Sequence, residues 1–102
     1  MAKVYALYKT PTDPAAFDRY YFDRHVPLAK TIPGLLSYEV TRGPIAAMSG
    51  ATPYYLIATL AFESRAAIDA ALASTQGRAT AGDLGNFATG GVDVLITETG
   101  MV

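Results

Sequence analysis

His25, the only histidine in the chain, and seven tyrosines are the side chains best suited to move protons or orient a polar ligand. Unperturbed imidazole titrates near neutrality, so His25 can give and take a proton at physiological pH. It lies in the run Phe17-Asp18-Arg19-Tyr20-Tyr21-Phe22-Asp23-Arg24-His25-Val26-Pro27-Leu28, among aromatic rings. A phenol joins a large apolar ring to one hydroxyl, which suits it to a ligand that is mostly greasy and polar at one point. Tyr38 follows the histidine segment on the next strand and is expected to orient a carbonyl or hydroxyl beside His25. Phe17, Tyr21 and Leu28 are expected to wall the ligand. A plainer reading of the same residues is open. His25 can pair with carbonyls freed at a helix end by Pro27, and the tyrosines can fill core and interface.

Other chemistries find little support. With no cysteine there is no thiolate nucleophile, disulfide or cysteine-held metal. One histidine and scattered carboxylates give no metal-ligand spacing, so no metal is expected. Gly82-x-x-Gly85 and Gly90-Gly91 lack the strand-then-helix setting of a dinucleotide loop, and no Walker lysine or Gly-x-Ser-x-Gly elbow occurs. No flavin, nicotinamide or nucleotide cofactor is expected. The carboxylates Asp18, Asp23, Asp69 and Asp83 are assigned to solvent-facing positions.

The segments around these residues define the scaffold. Alternation predicts strands at Lys3–Lys9, Leu35–Arg42, Tyr54–Phe62 and Val92–Glu98. Asp13 as an N-cap with Pro14 behind it starts a helix that carries Phe17, Tyr21, Arg24 and Leu28 on one face, with His25 at its edge. Pro27 offers no amide and disfavours helical geometry at Val26, so it is expected to break this helix. Ser64 caps a second helix from Arg65 to about Ser74; Thr75-Gln76-Gly77 is expected to end it, before a shorter helix from Arg78 to about Phe87. Residues 43–53 read as a long connection.

The order β-α-β-β-α-β, with an extra helix before the last strand, is the ferredoxin-like α+β pattern: a four-stranded antiparallel sheet with its helices on one face. At 102 residues, positions 1–102 form one domain, large enough for a core without staples. Strands one, three and four are apolar on both sides. Leaving ~500 Å² of apolar sheet wet would forgo roughly 12 kcal/mol at ~25 cal/mol per Å², comparable with a whole domain's stability. A second copy packed sheet to sheet supplies the cover, so a homodimer is expected.

Partners of other kinds are not expected. Eight lysines and arginines against nine aspartates and glutamates are spread along the chain, with no basic patch for nucleic acid. No stretch is long enough to span a membrane and no signal-peptide pattern opens the chain, which together with the absence of cysteine points to the cytoplasm.

The motif Phe17-x-x-Tyr20-Tyr21-x-x-x-His25-x-Pro27-Leu28-Ala29, continued by Ile32-Pro33-Gly34-Leu35 and Tyr38-Glu39-Val40, resembles the EthD family, small bacterial proteins named from gene clusters for ethyl tert-butyl ether degradation. The resemblance spans nearly the whole chain and implies the dimeric α+β barrel fold, with an accessory role in degrading organic compounds. The wider superfamily includes lactone isomerases, polyketide dehydratases and cofactor-free monooxygenases. Around Tyr38-Glu39-Val40 the chain is also similar to methylmuconolactone methylisomerase, whose helix histidine and strand tyrosine would correspond to His25 and Tyr38. The cysteine of that isomerase and the tryptophan of some monooxygenases have no counterpart here.

Three readings stand at this point: a dimer that binds an apolar, aromatic or lactone-like molecule and moves a proton with His25; a non-catalytic ligand-binding or accessory protein; and a purely structural homodimer.

Overall fold

The computed structural model describes all 102 residues. Four strands, β1 (Ala2–Lys9), β2 (Ser37–Val40), β3 (Tyr54–Phe62) and β4 (Val92–Glu98), form one antiparallel sheet in the order β2-β3-β1-β4. The molecule is a slab of 34 × 34 × 18 Å, as one sheet under one layer of helices requires. The ferredoxin-like expectation is met. β2 is shorter than its alternation predicted: its ladder with β3 spans Ser37 to Val40, with single backbone bonds from Leu36 and Thr41 just beyond it.

Register sorts the side chains. Ala2, Val4, Ala6 and Tyr8 of β1 oppose Phe62, Leu60, Ala58 and Leu56 of β3, and this face is buried under the helices. The opposite face carries Tyr5, Leu7, Ile57 and Leu95; none of them is fully buried, and Leu95 is 51% exposed. At the end of β3 the expected alternation fails. Tyr8 opposes Leu56 and Lys9 opposes Tyr54, which leaves Tyr55 as an extra residue in a β-bulge. The bulge turns Tyr55 toward the helices: its ring meets Phe17 edge-on at 5.3 Å and its hydroxyl donates to Asp18 Oδ1 at 2.9 Å. Tyr54 turns the other way and donates to Asp93 Oδ2 at 3.2 Å.

The first helix begins where its cap predicted. Asp13 accepts from the Ala16 amide at 3.2 Å, and α1 runs over Pro14–Tyr20. The expected break at Pro27 does not occur. Instead the chain takes one π turn over Tyr21–His25, where the Val26 amide reaches back to the Tyr21 carbonyl, and continues as α2 (Val26–Ala29). Val26 keeps helical angles, φ −59° and ψ −49°, so the wider turn accommodates the proline that would otherwise force a kink. The winding also changes which residues share a face. In an α-helix a row of every fourth residue drifts around the axis because a turn holds 3.6 residues; a π turn takes up that drift. Phe17, Tyr21, His25 and Ala29 therefore form one buried stripe, while Arg24 is exposed and Leu28 half-buried.

The second helical region also departs from expectation. Ser64 caps α3 (Arg65–Ala73) by accepting from Ala67 at 3.1 Å and α3 ends where expected, but Thr75-Gln76-Gly77 opens the next helix instead of separating the two. Ser74 is both the end of α3 and the cap of α4 (Thr75–Asp83), accepting from the Gly77 amide at 3.0 Å. Gly77 is buried against the backbone carbonyl of Ala71, where any side chain would collide, so glycine makes a tight corner here. A single 3-10 turn, Leu84–Asn86, then brings Phe87 into the core. No helix is long and apolar enough to cross a membrane.

Candidate functional site

His25 is held from two directions. The π turn aims the imidazole inward, where it is 4% exposed. From the end of α4, Asp83 Oδ2 lies 2.9 Å from His25 Nδ1. Asp83 is itself anchored: its Oδ1 accepts from the Tyr20 hydroxyl at 2.6 Å and from Asn86 Nδ2 at 2.9 Å. An ionised carboxylate only accepts, so it holds the neutral ring with its proton on Nδ1 and leaves the lone pair on Nε2. Nε2 has no hydrogen-bond partner in the chain. Since no fully buried polar side-chain atom lacks a partner, Nε2 opens onto the cavity that His25 lines.

Electrostatics fit that arrangement. Burial depresses the His25 imidazole below its usual 6.5, and Asp83 only partly opposes this. Burial alone would raise the Asp83 carboxyl, but the hydrogen bonds from Tyr20, Asn86 and His25 outweigh it and hold the group below its usual 3.8. At neutral pH the pair is therefore a carboxylate and a neutral imidazole, with a basic nitrogen facing the cavity.

The cavity has a volume of about 280 Å³ and lies between the sheet and the helices. Of its 17 lining residues 14 are hydrophobic, and Leu72, Ala81 and Val94 are exposed at its mouth, on the edge-strand side. Tyr21 and Tyr38 both line it, and their hydroxyls meet at 2.6 Å. Either can donate; when Tyr21 does, the Tyr38 proton is free for a ligand. Burial raises the pKa of both phenols, so they are donors and not phenolates. A wider hollow of about 550 Å³ lies on the outer surface beside Asp18, Phe22 and Arg42, and it reaches none of His25, Tyr21 or Tyr38.

His25, Tyr38 and Tyr21 thus converge on one cavity. Two residues assigned to its wall do not. Phe17 sits behind the cavity, stacked on Tyr21 at 5.6 Å and edge-on to Tyr8 at 5.5 Å, so it backs the wall without forming it. Leu28 is carried off the stripe by the π winding and lines no part of the cavity. Asp83, assigned to solvent, is corrected to the partner of His25; it closes α4, four residues before the buried Phe87. Phe87 was likewise missed, and its ring centre is 4.6 Å from that of His25. No group of three or more histidine or carboxylate side chains converges anywhere in a way that can hold a metal ion.

Comparison with known proteins agrees with this architecture. An uncharacterised 11.0 kDa protein of the thcB-thcC intergenic region of Rhodococcus erythropolis is 41% identical over 99 residues, covering 96% of this chain and 94% of that protein. The crystal structure of an ethyl tert-butyl ether degradation (EthD) family protein from Bacillus halodurans superposes with a TM-score of 0.88 at 33% identity, covering 97% of this chain and 98% of the other. A dimeric ferredoxin-like protein of unknown function from Thermobifida fusca shares the fold alone, at 13% identity and a TM-score of 0.70 over 96% and 90% of the two chains. The EthD domain model matches residues 9–91, so with both its fold and most of its length accounted for, the chain belongs to the EthD family.

Proposed function

We propose that this protein binds a small apolar, aromatic or lactone-like metabolite of organic-compound catabolism in the cavity beside His25, and that His25 moves a proton on it without a cofactor. The observation that carries this reading is the Asp83-held imidazole whose free nitrogen opens onto an otherwise apolar cavity shared with Tyr38. His25 Nε2 would act as base and then, once protonated, as acid; Tyr38 would orient a carbonyl or hydroxyl, with Tyr21 beside it. Acid-base help of this kind supplies about 10²–10⁴-fold, enough for isomerisation or dehydration of an already activated molecule. Membership of a family named for ether degradation supports a place in the breakdown of organic compounds.

The working unit on this reading is a homodimer in the cytoplasm. Tyr5, Leu7, Ile57 and Leu95 on the open sheet face argue for a second copy, and the Thermobifida fusca neighbour is a dimer of the same fold.

The test needs no knowledge of the natural substrate. Small aromatic ketones and lactones incubated with the protein in D₂O should lose the proton next to the carbonyl, followed by proton NMR. His25→Gln should abolish this while the fold and assembly stay intact. Exchange at an unchanged rate in that variant ends the catalytic reading. Binding without exchange leaves the second reading, a non-catalytic carrier or accessory protein, which the scarcity of polar groups in the cavity favours.

A further inference from the structure

Tyr8 is the most deeply buried phenol that the proposed chemistry leaves unused. It is 1% exposed, near the end of the inner strand β1, and aromatic rings fix it on several sides: Phe17, Tyr21 and Phe87 each lie 5.5 Å away, centre to centre. Its hydroxyl has no hydrogen-bond partner in the chain. A buried hydroxyl left unpaired in an apolar interior is costly, and here no fully buried polar atom is unpaired. The oxygen therefore faces the cavity that Tyr8 lines together with His25 and Tyr38.

A second feature of the cavity bears on the ligand. None of its 17 lining residues is a lysine or arginine, and the Asp83 carboxylate stands behind His25. A carboxylate or phosphate ester entering would lose its water with no cation to replace it, and would approach a negative charge.

We infer that Tyr8 is an oxyanion-stabilising donor in this cavity, and that the ligand enters uncharged, as a carbonyl compound or phenol that becomes an anion only after giving its proton to His25. The inference rests on the cavity being the ligand site. In the carbonyl case the proton on the adjacent carbon passes to Nε2, its bonding pair moves into the carbon–carbon bond, and the carbonyl π pair moves onto oxygen. Tyr8 and Tyr38 donate hydrogen bonds to that oxygen. Where the carbonyl compound is β,γ-unsaturated, the anion is a dienolate, and return of the same proton from the imidazolium to its γ carbon gives the conjugated isomer, with atoms and electrons balanced. Burial, with Tyr38 and Asp83 nearby, raises the Tyr8 pKa, which keeps the phenol protonated and able to donate. Two neutral donors in a dry site stabilise developing charge where it appears and bind the uncharged ground state less.

The experiment uses three probes of one shape: 4-nitrophenol, 4-nitrotoluene and 4-nitrobenzoate. At a pH below the free phenol's own pKa, wild type should bind 4-nitrophenol with the absorbance of the phenolate, as the proton passes to His25. Tyr8→Phe should weaken phenolate binding at least about tenfold, the loss of one hydrogen bond to a charged acceptor, and leave 4-nitrotoluene unchanged. The benzoate should bind more weakly than the phenol to both proteins. Equal phenolate binding by wild type and Tyr8→Phe overturns the role of Tyr8 and leaves the cavity as the ligand site. Benzoate bound as tightly as the phenol overturns the uncharged class. Failure of wild type to bind either neutral probe overturns the cavity reading and Tyr8 with it. The variant should melt at or above the wild-type temperature, since it loses only an unpaired oxygen; a markedly lower melting temperature means that the hydroxyl is bonded within the chain, which also overturns the inference.

Discussion

Asp83 Oδ2 and His25 Nδ1 stand 2.9 Å apart across 58 residues of sequence, joining the end of the fourth helix to the π turn of the first. The contact does two things. It selects the imidazole tautomer with its lone pair toward the cavity, and it ties together the two helical regions that roof the sheet. Tyr20 and Asn86 hold the carboxylate from its other oxygen, so little freedom is left in the pair.

The first prediction concerns that pair. Asp83→Asn removes the only charge that opposes the effect of burial on His25, so the imidazole should titrate at a lower pH than in wild type. Nitrogen-15 NMR of the single histidine reads this directly. A midpoint that stays or rises would mean that the carboxylate does not govern the ring.

Stability should fall on acidification in two stages. His25 has a folded pKa below its unfolded 6.5, so between the two values the unfolded chain binds the proton first; stability is highest above 6.5 and declines as pH drops from there to the folded pKa. Asp83 has a folded pKa below 3.8, so its contribution is full above 3.8 and is lost as pH falls through the folded value. Urea denaturation across this range should show both limbs, and His25→Gln should remove the upper one and shrink the lower, since His25 is one of the three groups that hold the Asp83 carboxyl down.

Phe87 is 4% exposed and touches the rings of Tyr8, Phe17, Tyr20, Tyr21 and His25. Phe87→Ala should cost roughly 3–5 kcal/mol. For a domain of this size, Tm falls about 4–8 °C per kcal/mol, which calorimetry resolves. The proton-exchange activity should drop along with it, because the histidine ring loses a packing neighbour 4.6 Å away.

Leu95 is the most exposed large apolar residue on the open sheet face, at 51%. Leu95→Glu should convert a dimer into monomers in sedimentation at micromolar concentration, since a buried unpaired carboxylate at a two-fold contact occurs twice. A wild-type chain that sediments as a monomer, or a variant that still sediments with twice the monomer mass, counts against the sheet-to-sheet assembly.

Much of this was written locally in the sequence. The caps at Asp13 and Ser64 and the spans of the third and fourth strands follow from short-range rules that the structure obeys. His25 and Tyr38 stand in consecutive segments of the chain, and both line the one cavity. What was not legible depends on geometry that no local rule contains. Asp83 looked like any helix-surface carboxylate until a fold brought it to a ring 58 residues away. Tyr55 departs from alternation because one extra residue was inserted in the pairing with the first strand. Thr75-Gln76-Gly77 carries breaker residues, yet the Ser74 cap and the close approach to Ala71 turn them into a helix start. Leu28 was misplaced for a related reason: the period assumed for its helix was 3.6 throughout, and one turn is wider.

That wider turn makes the orientation of the imidazole a matter of counting. Wound as plain α-helix, the four steps from Tyr21 to His25 would carry the ring about 40° past the buried stripe, away from the hollow it now faces. A relative with the same histidine and the same spacing but no π turn in this stretch would keep the fold and lose the alignment. The winding between these two positions is therefore a sharper marker of shared chemistry among such chains than the presence of the histidine itself.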